Sequence, residues 1–229
     1  MFARRLSALQ KEVGPAIFGQ EIMFTPKTSR SAFTLVELLT VIAIIAVLMG
    51  ILFPTIGAAI ESAKKTQAKN DELQIVNAVK AYYTEYGKYP VLSTEQGTDK
   101  EFKAGGTSTD NLLNVLRANG QGRDNPTGPD NLNPRRIVFL EVPNVKVDTA
   151  GKRKNGVGGD GIFYDPWGNA YSIKIDSNYD NNLTNPYTSN AGPTTLNTGA
   201  IAWSIGRDSK GGSGDKSTGD QKDDVISWQ

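Results

Sequence analysis

The 229-residue chain contains no cysteine and no histidine. It can therefore form neither disulfide bonds nor thiolate nucleophiles, and it can build neither a Cys/His zinc site nor a histidine acid–base centre. An excess of one charge is lacking too, since 25 basic residues face 24 acidic ones, so nothing indicates nucleic acid as a partner. The composition excludes the enzyme classes that depend on cysteine or histidine.

Apolar residues are concentrated in one run, from Phe33 to Phe53, whose polar members are Thr34, Glu37 and Thr40. As a helix, these 21 residues would span about 30 Å, the thickness of the hydrocarbon core of a bilayer. The run is longer than the apolar region of a secretory signal and lacks a good cleavage site after it, so we interpret it as a membrane helix. The basic residues before it predict a cytoplasmic N-terminus and an exported C-terminal part; they are Arg4, Arg5, Lys11, Lys27 and Arg30.

Glu37 lies near the start of this run, where an acid is either tolerated at the membrane interface or functional within the membrane. The order of residues 31–39, SAFTLVELL, resembles the processing signal of type IV pilins and pseudopilins. The resemblance implies that a prepilin peptidase cuts between Ala32 and Phe33 and that the new amine of Phe33 is methylated. Ala32 departs from the family, which usually has glycine before the cut.

The same resemblance implies roles for two further residues. Glu37 would serve filament assembly by pairing with an N-terminal ammonium, either its own or that of a neighbouring subunit. Pro54 corresponds to a helix-kinking proline of the family, although a simple helix break after a membrane span is an alternative. Residues 1–32 would be the leader, and translation from Met23 is an alternative that gives a leader of more ordinary length.

Helical spacing of apolar residues continues after the run and predicts an amphipathic helix over residues 54–86. Its predicted buried face consists of Ile56, Ile60, Ala63, Leu73, Val76, Val79 and Tyr83. Its predicted polar face consists of Lys64, Lys65, Lys69, Asp71 and Glu72. Gly87 and Pro90 predict the end of the helix. We expect this helix to pack on a small antiparallel sheet within residues 87–229, which makes the fold α+β.

Two later segments are similar to the major, G-type pseudopilin of type II secretion systems. The first follows the long helix, and its matching residues are Tyr83, Gly87, Tyr89, Pro90, Thr94, Glu95, Gln96 and Gly97. The second is DPWGNAY, residues 165–171, which predicts a turn with Trp167 in the core and a strand after it. The resemblance is thin between residues 98 and 162.

The intervening sequence predicts simple local structure. A short helix is expected over residues 111–119, packed through Leu112, Leu113 and Leu116, after a capping-box-like sequence at residues 107–110. Residues 135–142 predict a strand or a buried connector. GVGGDG, residues 156–161, matches a dinucleotide-binding pattern in letters, but it does not open a helix after a strand, so we interpret it as a flexible or hairpin loop.

The C-terminal region resembles the calcium-binding segment of the same family. Ser204, Gly206 and Asp208 match its first part, and Asp223 and Asp224 match its second. The resemblance implies that Asp208, Asp223, Asp224 and the backbone carbonyl of Ile205 hold calcium, with Asp215 as a further candidate in a loop of unusual length. A solvated acidic loop is the alternative.

Residues 176–181, DSNYDN, resemble half of an EF-hand loop. They lack the glycine at the sixth position, and Tyr187 stands where the final glutamate would be. A turn rich in Asn and Asp is therefore the favoured interpretation over a second metal site.

Taken together, the resemblance implies a structural subunit of a periplasmic pseudopilus, processed and then polymerised through its N-terminal helix, and not an enzyme. Its partners would be its own copies in a helical filament, the prepilin peptidase, the inner-membrane assembly platform, minor pseudopilins and, before assembly, membrane lipid. It would cross the bacterial inner membrane once, with the domain at residues 87–229 in the periplasm. Two alternatives remain: a type IV pilus or competence pilin, and a membrane-anchored periplasmic enzyme or binding module.

Overall fold

A computed structural model describes residues 33–103, 109–125, 127–128 and 130–229. The predicted leader with Met23 and Ala32, and Thr107 of the predicted capping box, lie outside the described residues. The chain divides into two compact units, one that ends at Met49 and one that spans Gly50–Gln229.

The helix α1 (Leu35–Tyr86) belongs to the first unit in its N-terminal part. The side chains from Phe33 to Met49 are exposed on every side of it, including Phe33 at 74%. A helix that is apolar all round suits lipid or other helices as surroundings, and by length and composition α1 is able to cross a membrane. The predicted apolar helix is confirmed. The backbone stays helical through Pro54, and the kink remains a prediction.

The described part of the second unit contains the rest of α1, the short helix α2 (Thr109–Arg117) and ten short strands. The strands are β1 (Lys100–Phe102), β2 (Lys146–Val147), β3 (Arg153–Lys154), β4 (Gly156–Val157), β5 (Phe163–Tyr164), β6 (Ser172–Ile175), β7 (Leu183–Thr184), β8 (Thr195–Leu196), β9 (Ala200–Ser204) and β10 (Val225–Ile226). Short 3-10 turns occupy Ser93–Glu95, Gly122–Asp124 and Gly219–Gln221.

Four of the strands form an antiparallel sheet in the order β1-β6-β9-β10. Ile173 of β6 lies opposite Phe102 on one side and Ala202 on the other, and Ser204 pairs with Val225. The remaining strands form three two-stranded ribbons, β2-β3, β4-β5 and β7-β8. One long helix with small antiparallel sheets is the α+β fold that the sequence predicts.

Each face of the sheet packs against its own apolar cluster, because successive side chains of a strand point to opposite faces. One cluster joins α1, α2 and the sheet through Ile75, Val79, Leu112, Ile173 and Ala202. The other lies on the opposite face and consists of Leu183, Tyr187, Ala191, Leu196, Ile201, Trp203 and Ile226. The sheet is therefore buried on both faces at β9 and β10, and the C-terminal half of α1 is part of the core.

The buried face of α1 differs from the predicted one by about one residue. Ile56, Ile60, Ala63, Leu73 and Tyr83 are exposed, whereas Val76 and Val79 are buried as predicted. The buried stripe instead runs through Ala68, Glu72, Ile75, Val79 and Tyr82, with the spacing of four and three that a helix requires. The assignment of Asp71 and Glu72 to the polar face is wrong, since both are buried.

Other local predictions are confirmed. Gly87 has a φ of +66° and donates its N–H to the Tyr83 carbonyl at 2.8 Å, which ends α1. Leu112, Leu113 and Leu116 of α2 are fully buried, although α2 ends at Arg117 because Ala118 is left-handed with a φ of 52°. The segment at residues 156–161 is the hairpin of β4 and β5.

Residues 135–142 form no strand within the described chain, so the strand alternative is wrong. The backbone N–H groups of Phe139 and Leu140 both donate to the Leu116 carbonyl, at 2.8 and 3.0 Å. Leu140 is buried and Val138 is exposed, so the segment is a partly buried connector. Its backbone finds partners at the end of α2 rather than in the sheet.

Candidate functional site

The candidate site at the start of α1 is built from Thr34 and Glu37. The Thr34 N–H donates to Glu37 Oε2 at 2.8 Å, and the Thr34 hydroxyl donates to the same oxygen at 2.7 Å. The Glu37 N–H in turn lies 3.2 Å from Thr34 Oγ1, which accepts its hydrogen bond. This reciprocal arrangement is a capping box, in which the residue before the helix and the third residue inside it satisfy each other's backbone groups.

The capping box gives the carboxylate of Glu37 a local partner at the positive end of the helix dipole. Both bonds from Thr34 use Oε2, and a carboxylate offers acceptor sites on both oxygens, so Oε1 can accept a further donor such as an ammonium. The capping role of Thr34 was not predicted, although the spacing Thr-x-x-Glu is typical of a capping box. Phe33 is exposed and directly precedes this box. Ala32, on the other side of the predicted cleavage site, lies outside the described residues.

At the C-terminal region, a hydrogen bond joins the predicted metal ligands Asp208 and Asp223, and Asp224 follows Asp223 in the chain. Asp223 Oδ2 accepts the N–H groups of Arg207 at 2.5 Å and Asp208 at 2.9 Å. Asp224 is buried, accepts the Tyr187 hydroxyl at 2.7 Å on Oδ2, and has no partner for Oδ1 within the described residues. Burial raises the pKa of Asp224 to about 6, and the like charges of Asp223 and Asp208 add to that rise.

Ile205 and Asp215, the other predicted ligands, lie in different surroundings. Ile205 directly follows β9, whose last residue Ser204 pairs with Val225, so its backbone lies beside Asp224. Asp215 accepts Asn190 Nδ2 at 2.8 and 2.9 Å and the Ser217 hydroxyl at 2.7 Å. The structure therefore joins Asp208 to Asp223 through the Asp208 backbone N–H and engages Asp215 with other side chains. Within the described residues, the carboxylates of Asp208, Asp223 and Asp224 do not form a set in which all lie within 4.8 Å of one another.

Residues 176–181 form the expected Asn/Asp-rich turn. The buried Asp176 accepts the N–H of Asp180 at 3.2 Å and that of Asn181 at 2.8 Å. Oxygens of Asp99, Asp176 and Asp180 lie within 4.8 Å of one another. Asp99 was missed because only the fold brings it to this turn.

Glu95 of the predicted TEQG segment binds two basic side chains. Arg123 donates to its two oxygens at 2.5 and 2.9 Å, and Lys100 Nζ lies 2.8 Å from Oε1. Burial opposes the charge on Glu95, but Arg123 and Lys100 outweigh it and lower the pKa of Glu95 to about 2. Glu95 thus ties the segment after α1 to the connection after α2, a role that the sequence did not reveal.

The DPWG turn is organised by Asp165, which is fully buried. Its Oδ1 accepts the N–H groups of Trp167, Gly168 and Asn169 at 2.9, 2.6 and 2.8 Å, and its Oδ2 accepts the Ser204 hydroxyl at 2.5 Å. Trp167 is buried, as predicted, and its indole N–H donates to Glu61 of α1 at 3.0 Å. The turn therefore joins the sheet to the helix.

Glu72 of α1 is fully buried, and neither of its carboxylate oxygens has a hydrogen-bond partner within the described residues. Lys69, one turn earlier, donates to the carbonyls of Ile226, at 2.5 Å, and Gln229. The neighbouring Asp71 accepts the Tyr171 hydroxyl at 2.9 Å. Burial raises the pKa of Glu72 well above its ordinary range, and the Lys69 ammonium opposes that rise only in part.

Comparison with known proteins supports the reading of the N-terminal segment. Residues 27–53 match the family described as "Prokaryotic N-terminal methylation motif". The chain is 34% identical over 73 residues to the type II secretion system core protein G of Aeromonas hydrophila. That match covers 32% of this chain and 50% of the relative, so the chain spans about half the length of the relative it matches. No solved structure matches the chain.

Proposed function

We propose that this chain is a type IV pilin-like protein and a structural subunit of a type II secretion pseudopilus, because it matches the methylation motif and is similar to the type II secretion system core protein G. The observation that carries the proposal is the Thr34–Glu37 capping box, which opens an exposed apolar helix inside the segment that matches the methylation motif. The same resemblance favours a structural role over an enzymatic one. The proposed location is the inner membrane, with the C-terminal unit in the periplasm.

In the proposed pathway, the apolar helix first lies in lipid and later packs among the same helices of neighbouring subunits. A prepilin peptidase cuts before Phe33 and leaves an ammonium one residue before the capping box. Glu37 Oε1 then accepts a hydrogen bond from that ammonium, in the same subunit or in a neighbouring one. The Thr34 hydroxyl continues to donate to Oε2. The pairing lowers the cost of burying either charge in an apolar filament core.

The first test measures the N-terminus of the chain purified from its host. We expect mass spectrometry to find a chain that begins at N-methylated Phe33. The variant Ala32→Gly, which restores the residue that the family usually has, should be cut at the same bond. An intact bond between residues 32 and 33 in both proteins would contradict the proposed processing.

The second prediction concerns assembly. Glu37→Ala should enter the membrane normally but fail to form filaments, because the ammonium loses its acceptor and the capping box loses a bond worth about 1 kcal/mol. Thr40→Ala is the control, since Thr40 donates only to the Glu37 backbone carbonyl within the described hydrogen bonds. Cross-linking of filaments in membranes measures the result, and normal filaments from Glu37→Ala would exclude the pairing.

Deletion of the gene separates the pseudopilus from its closest alternative. Loss of protein secretion with normal motility and DNA uptake is expected for a pseudopilin. Loss of motility or DNA uptake with normal secretion would instead assign the chain to a type IV pilus or competence pilus.

Calcium is the proposed ion at the C-terminal region. The residues present fit it in part: the backbone N–H of Asp208 binds Asp223, and Asp224 has a buried oxygen without a partner in the described residues. Calcium takes six to eight oxygen ligands, and binding it here would satisfy that oxygen and neutralise the like charges of the three acids. Asp215 remains a candidate whose bonds with Asn190 and Ser217 would first have to open.

The third prediction follows from this site. Millimolar calcium should raise the melting temperature of the full chain in detergent, and Asp208→Ala should abolish the increase. Asp220→Ala is the matched control, because Asp220 is an exposed acid of the same loop. An unchanged melting temperature of the wild-type chain with calcium would remove the metal proposal.

A further inference from the structure

Asn182 begins the sequence Asn-Leu-Thr in the turn that leads into β7. Asn-x-Ser/Thr, with x other than proline, is the acceptor pattern for N-linked glycosylation of exported chains. In the full sequence, Asn125 is the other asparagine with a serine or threonine two positions later, and Pro126 between them breaks the pattern. The chain therefore carries a single acceptor sequence of this kind.

The fold presents this sequence to solvent. Residues 178–182 are all exposed, and the turn is tight because Tyr179 and Asn181 have φ values of 64° and 59°. Leu183 is fully buried and anchors the end of the turn, whereas Asn182 and Thr184 on either side of it are exposed. Because side chains alternate along an extended segment, the acceptor amide and the threonine side chain share the outer face.

The amide of Asn182 is oriented without being buried. Its Nδ2 donates to the Asp180 carbonyl at 2.9 Å, and its backbone N–H donates to Asp180 Oδ1 at 2.8 Å. Both contacts lie at the exposed surface of the turn. The hydrogen bond that Nδ2 makes therefore lies at the surface, where a transferase can reach this atom.

We propose that Asn182 is an N-glycosylation site, which rests on the periplasmic placement in the proposed function. The donor class is an oligosaccharide joined through pyrophosphate to a membrane lipid, and a membrane oligosaccharyltransferase catalyses the transfer. Nδ2 forms a bond with the anomeric carbon of the first sugar, and the bond from that carbon to the pyrophosphate oxygen breaks. The lipid pyrophosphate leaves with the electron pair, and Nδ2 gives one proton to a base of the transferase.

The test uses the full chain purified from its own host. Trypsin should release residues 175–207, and tandem mass spectrometry of this peptide locates any sugar on its asparagines. We expect a glycan on Asn182 in the wild type and in Thr184→Ser, and none in Asn182→Gln or Thr184→Ala. Asn181→Gln is the matched control, because Asn181 is an exposed neighbour without a hydroxyl residue two positions later, and this variant should keep the glycan.

An unmodified Asn182 in the wild-type chain would overturn the proposal, as would a glycan that persists in Asn182→Gln. The N-terminal mass of the same sample tests the proposed processing separately, because glycosylation requires export but not cleavage. A chain that begins at Phe33 and carries an unmodified Asn182 would overturn the glycosylation site and leave the pseudopilin proposal standing.

Discussion

Replacement of Glu72 by glutamine is expected to stabilise the unit at residues 50–229 at neutral pH. The wild-type side chain is fully buried, and neither oxygen has a hydrogen-bond partner within 3.5 Å in the described residues. The Lys69 ammonium and the Ser204 backbone N–H favour its charged form, and the neighbouring carboxylates of Asp71 and Asp165 disfavour it. An unpaired carboxylate in such a place is costly, so burial raises the pKa of Glu72 well above its ordinary range and favours the protonated form. Glutamine has nearly the same shape and carries no charge, so the variant avoids the cost of that protonation.

The sign of the pH dependence follows from the raised pKa of Glu72. Below the pKa of the unfolded chain, the acid is protonated in both states and the full stability is present. Above it, the unfolded chain loses a proton that the folded chain keeps, so this group lowers the free energy of unfolding by about 1.4 kcal/mol per pH unit. The loss continues until the pH passes the folded pKa. Asp71, Asp165 and Asp224 have raised pKa values too. Glu72→Gln should therefore reduce the fall of the unfolding free energy with rising pH without abolishing it.

Urea unfolding of the full chain in detergent at pH 5 and pH 7 measures this effect, with tryptophan fluorescence as the signal. The three tryptophans, Trp167, Trp203 and Trp228, all lie in the second unit. Glu72→Gln should gain about 1–3 kcal/mol over the wild type at pH 7 and less at pH 5. Glu85→Gln is the control for a more exposed acid of α1 and should change stability by less than about 0.5 kcal/mol. A Glu72→Gln chain that is less stable than the wild type would mean that Glu72 is charged and paired.

Asp165→Ala should destabilise the second unit by about 3–5 kcal/mol. The substitution leaves the N–H groups of Trp167, Gly168 and Asn169 and the Ser204 hydroxyl without their acceptor. Each buried donor that loses its acceptor costs about 1–3 kcal/mol. Water that enters the turn would accept some of these hydrogen bonds, so the total loss is smaller than the sum of the four costs. The turn would then lose its hydrogen bond to Ser204, the last residue of β9.

The same urea experiment at pH 7 measures this change. Asp165→Asn keeps one acceptor oxygen for the turn and should lose less than the alanine variant. Asp220→Ala, at an exposed aspartate, should change stability by less than about 0.5 kcal/mol. A loss below about 1 kcal/mol for Asp165→Ala would show that the turn forms without its carboxylate.

Local patterns predicted the elements of this fold better than they predicted contacts. The apolar run, the stop at Gly87, α2 and the DPWG turn each depend on a few neighbouring residues, and each was found from the sequence. The phase of the buried stripe on α1 was missed because it is set by contacts with the sheet. In particular, Glu72 is fully buried, which is rare for a glutamate.

The contacts of the candidate site also divide into local ones, which a sequence pattern can indicate, and long-range ones, which it cannot. Glu37 and its capping partner lie three residues apart, so the box was readable from the spacing alone. The pairs Glu95–Arg123 and Asp165–Ser204 join residues that are distant in sequence, and no local pattern indicates them. Asp99 likewise reaches Asp176 only through the pairing of β1 with β6.

The bond from Lys69 to the carbonyl of Ile226 joins residues 157 positions apart, and it depends on the strand β10. If the chain is exported as proposed, with its first helix leading, β10 is among the last segments to emerge. Until then, Ser204 and Trp203 form an open sheet edge, which is a surface prone to join other strands. Under that proposal, the order of export would set a period in which the subunit is most prone to aggregation, and pairing of β10 with β9 would end it.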